Sequence, residues 1–293
     1  MPPTKNSGQS SALNSAPTTM SLRGADGLKL TADIWGPEGG RNVLMLHGGG
    51  QTRYSWKATS RILAEAGMRV VALDLRGHGD SDWSTDGDYG FEKNCDDVLE
   101  VFEQIDSPTT IIGASLGGLT GILATEAAPS HVSRLALVDV VPRFEAAGSA
   151  RIRDFMRGAP RGFASLDEAA EAIAVYLPHR EKPKSTEGLR RNLRLREDGR
   201  WYWHWDPRMM ENPPTSTPTE RSTMLEAAAR SITIPVLLLQ GRLSDVISDE
   251  GVEEFRTHVP QLEVVTLDGA AHTAAGDDND AFSAAVVEFC SRA

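Results

Sequence analysis

The sequence predicts an α/β fold: a doubly wound, mostly parallel sheet interrupted by an insertion with helical stretches. Three observations carry this expectation. Short apolar runs at 43–46, 70–73, 135–138 and 235–239 suit strands covered on both faces. Amphipathic helical stretches separate several of them, and strand, helix, strand implies a parallel pair. The rhythm then stops after Pro142 and resumes only near residue 231, leaving a long segment between two parts of one sheet.

Taken in order, residues 1–20 are rich in Ser, Thr, Pro, Asn and Gly, cannot repay the entropy of ordering, and are expected to form a disordered tail. Residues 28–35 alternate like a half-buried strand. The strand at 43–46 leads to a helix with Ile62, Leu63, Ala66 and Met68 on its apolar side, then to the strand at 70–73. A helix from about 91 to 105, a strand at 110–112, a helix at 116–128 and a strand at 135–138 repeat the unit. Residues 142–230 form the expected insertion, so the core comprises 21–141 and 231–293. Strands return at 235–239 and 262–267, and the last helix places Phe282, Ala285, Val286 and Phe289 on one stripe.

The 30 Lys and Arg are outnumbered by 41 Asp and Glu, giving a net charge of −11, which opposes binding to nucleic acid. The densest basic run, 190–196, is expected to be a solvated helix face. Cys95 and Cys290 lie far apart without metal-ligand spacing, so neither a disulfide framework nor a metal site is expected. No apolar run reaches the length of a membrane span, and the N-terminus lacks the apolar core of a secretory signal. The expectation is a cytoplasmic protein, monomer or homodimer, acting on a small molecule without membrane, metal or organic cofactor.

In a doubly wound sheet, ligands bind beyond the carboxyl ends of the strands. There the sequence places Gly113-Ala114-Ser115-Leu116-Gly117, a strand, a tight turn and a helix. Such a turn projects Ser115 Oγ above the sheet beside the free N–H groups of the new helix. A serine hydroxyl needs a base, itself oriented by a carboxylate. Of the seven histidines, only His272 follows the last strand directly, and it is the candidate base. Asp245, after the strand at 235–239, is the candidate acid, with Asp139, closing the strand at 135–138, as its rival. His47-Gly48-Gly49-Gly50 follows the strand at 43–46 and brings flexible backbone close to a ligand. The N–H groups of Gly49 and Leu116 are therefore the candidate oxyanion donors, and His47 is read as a structural loop residue.

Four segments together resemble the α/β-hydrolase superfamily: His47-Gly48-Gly49-Gly50; Asp74-Leu75-Arg76-Gly77-His78-Gly79-Asp80-Ser81-Asp82; Gly113-Ala114-Ser115-Leu116-Gly117; and the loops of Asp245 and His272. The resemblance implies that 74–82 is a structural loop, with no catalytic part for Asp74 or His78, and that 142–230 is a helical cap over the site. It points to the small, capped, epoxide-hydrolase-like branch, but with Ser115 where those enzymes carry an Asp nucleophile. The Gly-Asp-Ser-Ala-Gly nucleophile sequence usual in hormone-sensitive-lipase-like esterases is absent. The expected activity is hydrolysis of a small carboxylic ester through an acyl-enzyme. A serine hydrolase of a C–C bond in a diketone ring-cleavage product, or a non-catalytic ligand receptor, are the alternatives. Trp201, Trp203, Trp205 and Tyr54 are the candidate substrate contacts, through large rigid aromatic area; the cap aromatics, and Trp56 after the Gly-rich loop, could equally pin the lid to the sheet.

Overall fold

The structure, a computed structural model, describes residues 16–143, 145–178, 185–211, 216–268 and 280–292. The chain opens with β1 (Thr18–Arg23), β2 (Lys29–Trp35) and β3 (Asn42–Leu46), followed by α1 (Lys57–Glu65) and β4 (Arg69–Leu73). Then come α2 (Phe91–Phe102), β5 (Thr109–Ala114), α3 (Leu116–Ala127) and β6 (Val132–Val138). The inserted segment carries α4 (Ala146–Arg157), α5 (Leu166–Tyr176), a ribbon of β7 (Leu193–Leu195) and β8 (Trp201–Trp203), and the one-turn α6 (Arg208–Glu211). The core resumes with α7 (Pro218–Arg230), β9 (Val236–Gly241), α8 (Asp249–His258), β10 (Leu262–Leu267) and α9 (Asp280–Ser291).

Eight strands form one sheet in the order β1-β2-β4-β3-β5-β6-β9-β10. The pairs β1·β2 and β2·β4 are antiparallel and the others parallel. β3 and β5, in its interior, are buried along their whole length, which is why β3 reads as an apolar run rather than an alternating one. One face packs on α2, α3, α7 and α8, through residues such as Val98, Ile122, Leu225 and Phe255. The other packs on α1 and α9, through Leu63, Phe282, Val286 and Phe289. The cap has its own small cluster, built from Met156, Phe163, Leu166, Leu193, Trp203 and Trp205.

Three sequence expectations are corrected. The tail does not run to residue 20, because Thr18, Thr19 and Met20 already pair with Ile34, Asp33 and Ala32 across the edge of the sheet. The cap does not run to residue 230: α7 starts with a capping box between Thr217 and Glu220, and its Leu225, Ala228 and Ala229 are buried in the sheet's own core. The basic run 190–196 is not a helix face but the end of a 3-10 turn followed by β7, whose Leu193 is buried in the cap cluster. Both cysteines are free and buried.

Candidate active site

β5 ends in the middle of the sheet, and the chain must reverse at once into α3. Ser115 makes that turn at φ 46° and ψ −115°, a conformation L residues rarely hold. Two close approaches impose it. A Cβ added to Gly113 would lie 2.4 Å from the carbonyl oxygen of Gly117, and one added to Gly117 would lie 2.3 Å from that of Leu46. α3 can therefore sit against β3 and β5 only with glycine at both places. The Ser115 carbonyl accepts from the N–H groups of Gly118 and Leu119, leaving the Leu116 N–H at the open helix start.

The Gly-rich loop after β3 is tied to this turn, because the His47 carbonyl accepts from Gly117 N–H at 3.1 Å. Gly48 N–H donates to Gln51 Oε1 at 3.0 Å and Gly50 N–H to His78 Nε2 at 3.1 Å. Among the described residues, the N–H groups of Gly49 and Leu116 are left without a partner. Leu116 directly follows Ser115, and Gly48, the neighbour of Gly49, comes close to it: a Cβ on Gly48 would meet Ser115 Cβ at 3.4 Å.

Three buried imidazoles hold this loop, and their partners fix their tautomers. His47 Nδ1 donates to the Gly48 carbonyl at 2.8 Å and its Nε2 accepts from Leu75 N–H at 3.0 Å. His78 Nδ1 donates to the Arg76 carbonyl, and its Nε2 takes the Gly50 proton. His204, from the cap, accepts from Gly79 N–H at 2.7 Å through Nδ1, while its Nε2 faces the Gly50 carbonyl at 3.4 Å. The Gly50 peptide is thus gripped by His78 from the core and His204 from the cap. Burial lowers all three pKa values, to about 4 for His47 and about 3 for His78, and well below the ordinary value for His204. They are neutral hydrogen-bonding groups and not proton carriers at neutral pH.

The loop 74–82 is held by charge. Asp74 accepts from the backbone N–H groups of Arg53 and Asp80 and from the Arg53 guanidinium. Arg53 also pairs with Asp33 at 3.0 Å and Asp80 at 2.9 Å, and Arg76 forms a two-point pair with buried Asp97. Every polar group of this segment singled out in the sequence is engaged in shaping the loop.

Above Ser115 lies a cavity of about 540 Å³. Its floor is the Gly-rich loop, Ala114 and Ser115, and its roof comes from α4, α5 and the end of the β7–β8 ribbon. Residues 41–278 match the protein family described as the alpha/beta hydrolase fold. The chain belongs to that family.

Relatives of this α/β-hydrolase bear out the architecture over nearly its full length. An esterase of Mycobacterium tuberculosis is 28% identical over 249 residues, covering 82% of this chain and 80% of the relative. A putative 2-succinyl-6-hydroxy-2,4-cyclohexadiene-1-carboxylate synthase of Bacillus subtilis is 25% identical over 274 residues, covering 92% of this chain and 98% of the relative. The crystal structure of an α/β-hydrolase from Novosphingobium aromaticivorans superposes with a TM-score of 0.81 at 26% identity, covering 96% of this chain and 100% of that one.

The two candidate acids of this α/β-hydrolase sit in different surroundings. Asp139 follows β6, the strand beside β5, and is fully buried, with a left-handed φ of 52°. Its Oδ1 accepts from Gly241 N–H at 2.9 Å and its Oδ2 from Ser244 Oγ at 2.5 Å. Asp245 is exposed and pairs with Arg151 at 2.7 Å. The acid the sequence puts forward is thus spent on a solvent-facing arginine, whereas its rival is sheltered beside β5. His272 lies outside the described residues, which end on this side at Asp268, just past β10.

Of the aromatic candidates, Tyr54, Trp203 and Trp205 line the cavity and Trp201 does not. Trp201 is corrected because its backbone pairs with Phe163 in both directions and Arg190 covers its ring at 4.8 Å. Trp56 is fully buried and stacks on Phe282 under the sheet. The sequence reading missed Ile152, Phe155, Met156 and Arg191 as wall residues. Phe155 and Met156 lie side by side on α4, and only the docking of that helix reveals which face looks inward.

Among the described residues, one group could hold a metal: Glu226, Glu254 and His258, whose ligand atoms lie within 4.8 Å of one another. None lines the cavity, and Arg230 and Arg143 already occupy Glu226 and Glu254. No helix among the described residues is long and apolar enough to cross a membrane.

Proposed function

We propose that this α/β-hydrolase cleaves small carboxylic esters with water, using Ser115 as nucleophile. The observation that carries the reading is Ser115 itself, held at positive φ on the floor of a cavity that Gly49 also lines, with N–H groups unpartnered among the described residues at Gly49 and at the next residue, Leu116. The ester-cleaving relative from M. tuberculosis supports the same class of chemistry.

In this reading His272 takes the Ser115 proton as Oγ attacks the ester carbonyl. The negative charge that builds on the carbonyl oxygen is met by the Gly49 and Leu116 amides, fixed in advance and therefore stabilising the transition state without reorganisation. His272 then protonates the departing alcohol, and afterwards draws a proton from water as it attacks the acyl-enzyme. The released acid leaves Ser115 with its proton restored. Asp139 serves as the carboxylate that orients the imidazole: it is buried, one strand from Ser115, and is itself held by Gly241 N–H and Ser244 Oγ. Asp245 takes no part.

The test is hydrolysis of p-nitrophenyl acetate. Ser115→Ala is expected to lower turnover roughly ten-thousandfold or more while circular dichroism stays unchanged, and a fluorophosphonate is expected to label the parent protein at Ser115 alone. Turnover that survives the substitution sinks the reading. Near-silence on esters, with Ser115-dependent consumption of a vinylogous diketone, would move the assignment to C–C bond hydrolysis.

A further inference from the structure

The cavity roof and floor differ in chemistry from its side. Ile152, Phe155, Met156 and Leu177 make an apolar roof, whereas Tyr54 and Arg191 stand together at one side. Among the described lining residues Arg191 is the single charged side chain, with no carboxylate beside it.

Two of its neighbours in the basic run are paired, Arg190 with Glu187 at 2.6 Å and Arg194 with Asp80 at 2.8 Å, while Arg196 lies over the Tyr202 ring at 4.0 Å, away from the cavity lining. Arg191 has no ion pair or side-chain hydrogen bond among the described residues. It is steadied instead by the Tyr54 ring, 5.1 Å from its guanidinium carbon. The same ring is contacted by Arg53 at 4.4 Å, but Arg53 is already matched by Asp33, Asp74 and Asp80. Arg191 is exposed, and its guanidinium, resting near the Tyr54 ring, keeps donors that no described residue uses, in a planar fork that fits a carboxylate.

We propose that the cavity binds an acyl substrate bearing a carboxylate, with Arg191 holding that anion and the apolar roof covering the uncharged remainder. This rests on the reading of Ser115 as an ester-cleaving nucleophile and names the substrate class of that site: a half-ester of a dicarboxylic acid. The local cation also answers the repulsion that a chain of net charge −11 exerts on an approaching anion.

Two isosteric esters separate this inference from the reading beneath it: monobenzyl succinate, and benzyl isocaproate, in which an isopropyl group replaces the carboxylate. Calorimetry in Ser115→Ala protein measures binding without turnover. The affinity ratio of the anionic to the neutral ester is expected to fall about tenfold on adding Arg191→Met, as for the loss of one charge-assisted pair, and to recover in large part with Arg191→Lys. A ratio unchanged by Arg191→Met overturns the anion site. Hydrolysis of the same pair by the parent protein is scored separately. If neither ester is cleaved but the ratio still depends on Arg191, the ester-cleaving reading falls and the anion site stands; if both are cleaved without any dependence on Arg191, the reverse holds.

Discussion

The two walls of the cavity are built by opposite means. The sheet side is made of backbone: the peptides of the Gly-rich loop and the Ser115 turn, locked by main-chain hydrogen bonds and by contacts that leave no room for a methyl group at Gly113 or Gly117. The cap side is made of side chains. Phe155 stacks on Tyr176 at 4.1 Å and leans on Trp203 at 5.4 Å, and Trp203 stacks on Trp205 at 4.8 Å. Backbone donors are the same whatever the residue, so they suit a reaction that must not vary. Side chains can be exchanged with modest repacking, so they suit the recognition of a particular substrate.

The largest effect that would break this contrast concerns the two acids. Asp139→Asn is expected to reduce kcat/KM of ester hydrolysis by about ten-thousandfold, because an amide can favour the wrong imidazole tautomer. Asp245→Asn, which only releases Arg151, is expected to cost less than about tenfold by the same measure. A reversal of the two would return the acid to the loop after β9.

Next comes Gly117→Ala. A methyl group 2.3 Å from the Leu46 carbonyl oxygen forces β3 and α3 apart. Urea unfolding is expected to show a loss of about 3 kcal/mol or more. A conservative change on the cap side, Phe155→Leu, is expected to change KM several-fold with kcat little altered.

The smallest effect sharpens the comparison at the stitch between the walls. His204→Phe keeps a ring but removes both hydrogen bonds that reach Gly79 and Gly50. We expect kcat to fall about tenfold, since the loop presenting Gly49 is then held from the core alone. The same variant carries a pH signature. Folded His204 stays neutral far below the ordinary imidazole value, whereas in the unfolded chain it takes up a proton near pH 6.5. Its stabilising contribution is therefore complete above that pH and is lost as the pH falls. His47 and His78 act with the same sign, and Asp74 and Asp97, whose carboxyls burial pushes up, with the opposite one. All four are common to both proteins, so between about pH 5 and 6 the stability of His204→Phe is expected to rise with pH less steeply than the parent, by about 1 kcal/mol per pH unit. Equal slopes would mean that His204 is not buried against the loop as described.

Several parts of the site were legible because local chemistry alone demands them. A tight strand-to-helix turn needs glycine on either side of its exposed serine, so Gly113-Ala114-Ser115-Leu116-Gly117 carries its own geometry. The apolar run at 43–46 in β3 announces a strand buried on both faces. Other features have no local signature. Asp139 and Asp245 both follow strands of the sheet, and what separates them is that Arg151, 94 residues from Asp245, takes the latter's charge. Arg191 reads as one more basic residue in a run until its neighbours find Glu187 and Asp80 and it does not.

By itself, then, the sequence determined the alternation of strands and helices, the serine turn and the Gly-rich loop facing it, because these follow from hydrophobic period and steric room within a few residues. Tertiary structure decided which carboxylate is sheltered, that α7 belongs to the core, that His204 reaches Gly50 across 154 positions of chain, and which aromatic rings face the substrate. Those outcomes depend on burial and on partners distant in sequence, and a charge or a ring acquires its role only when packing settles which groups remain beside it.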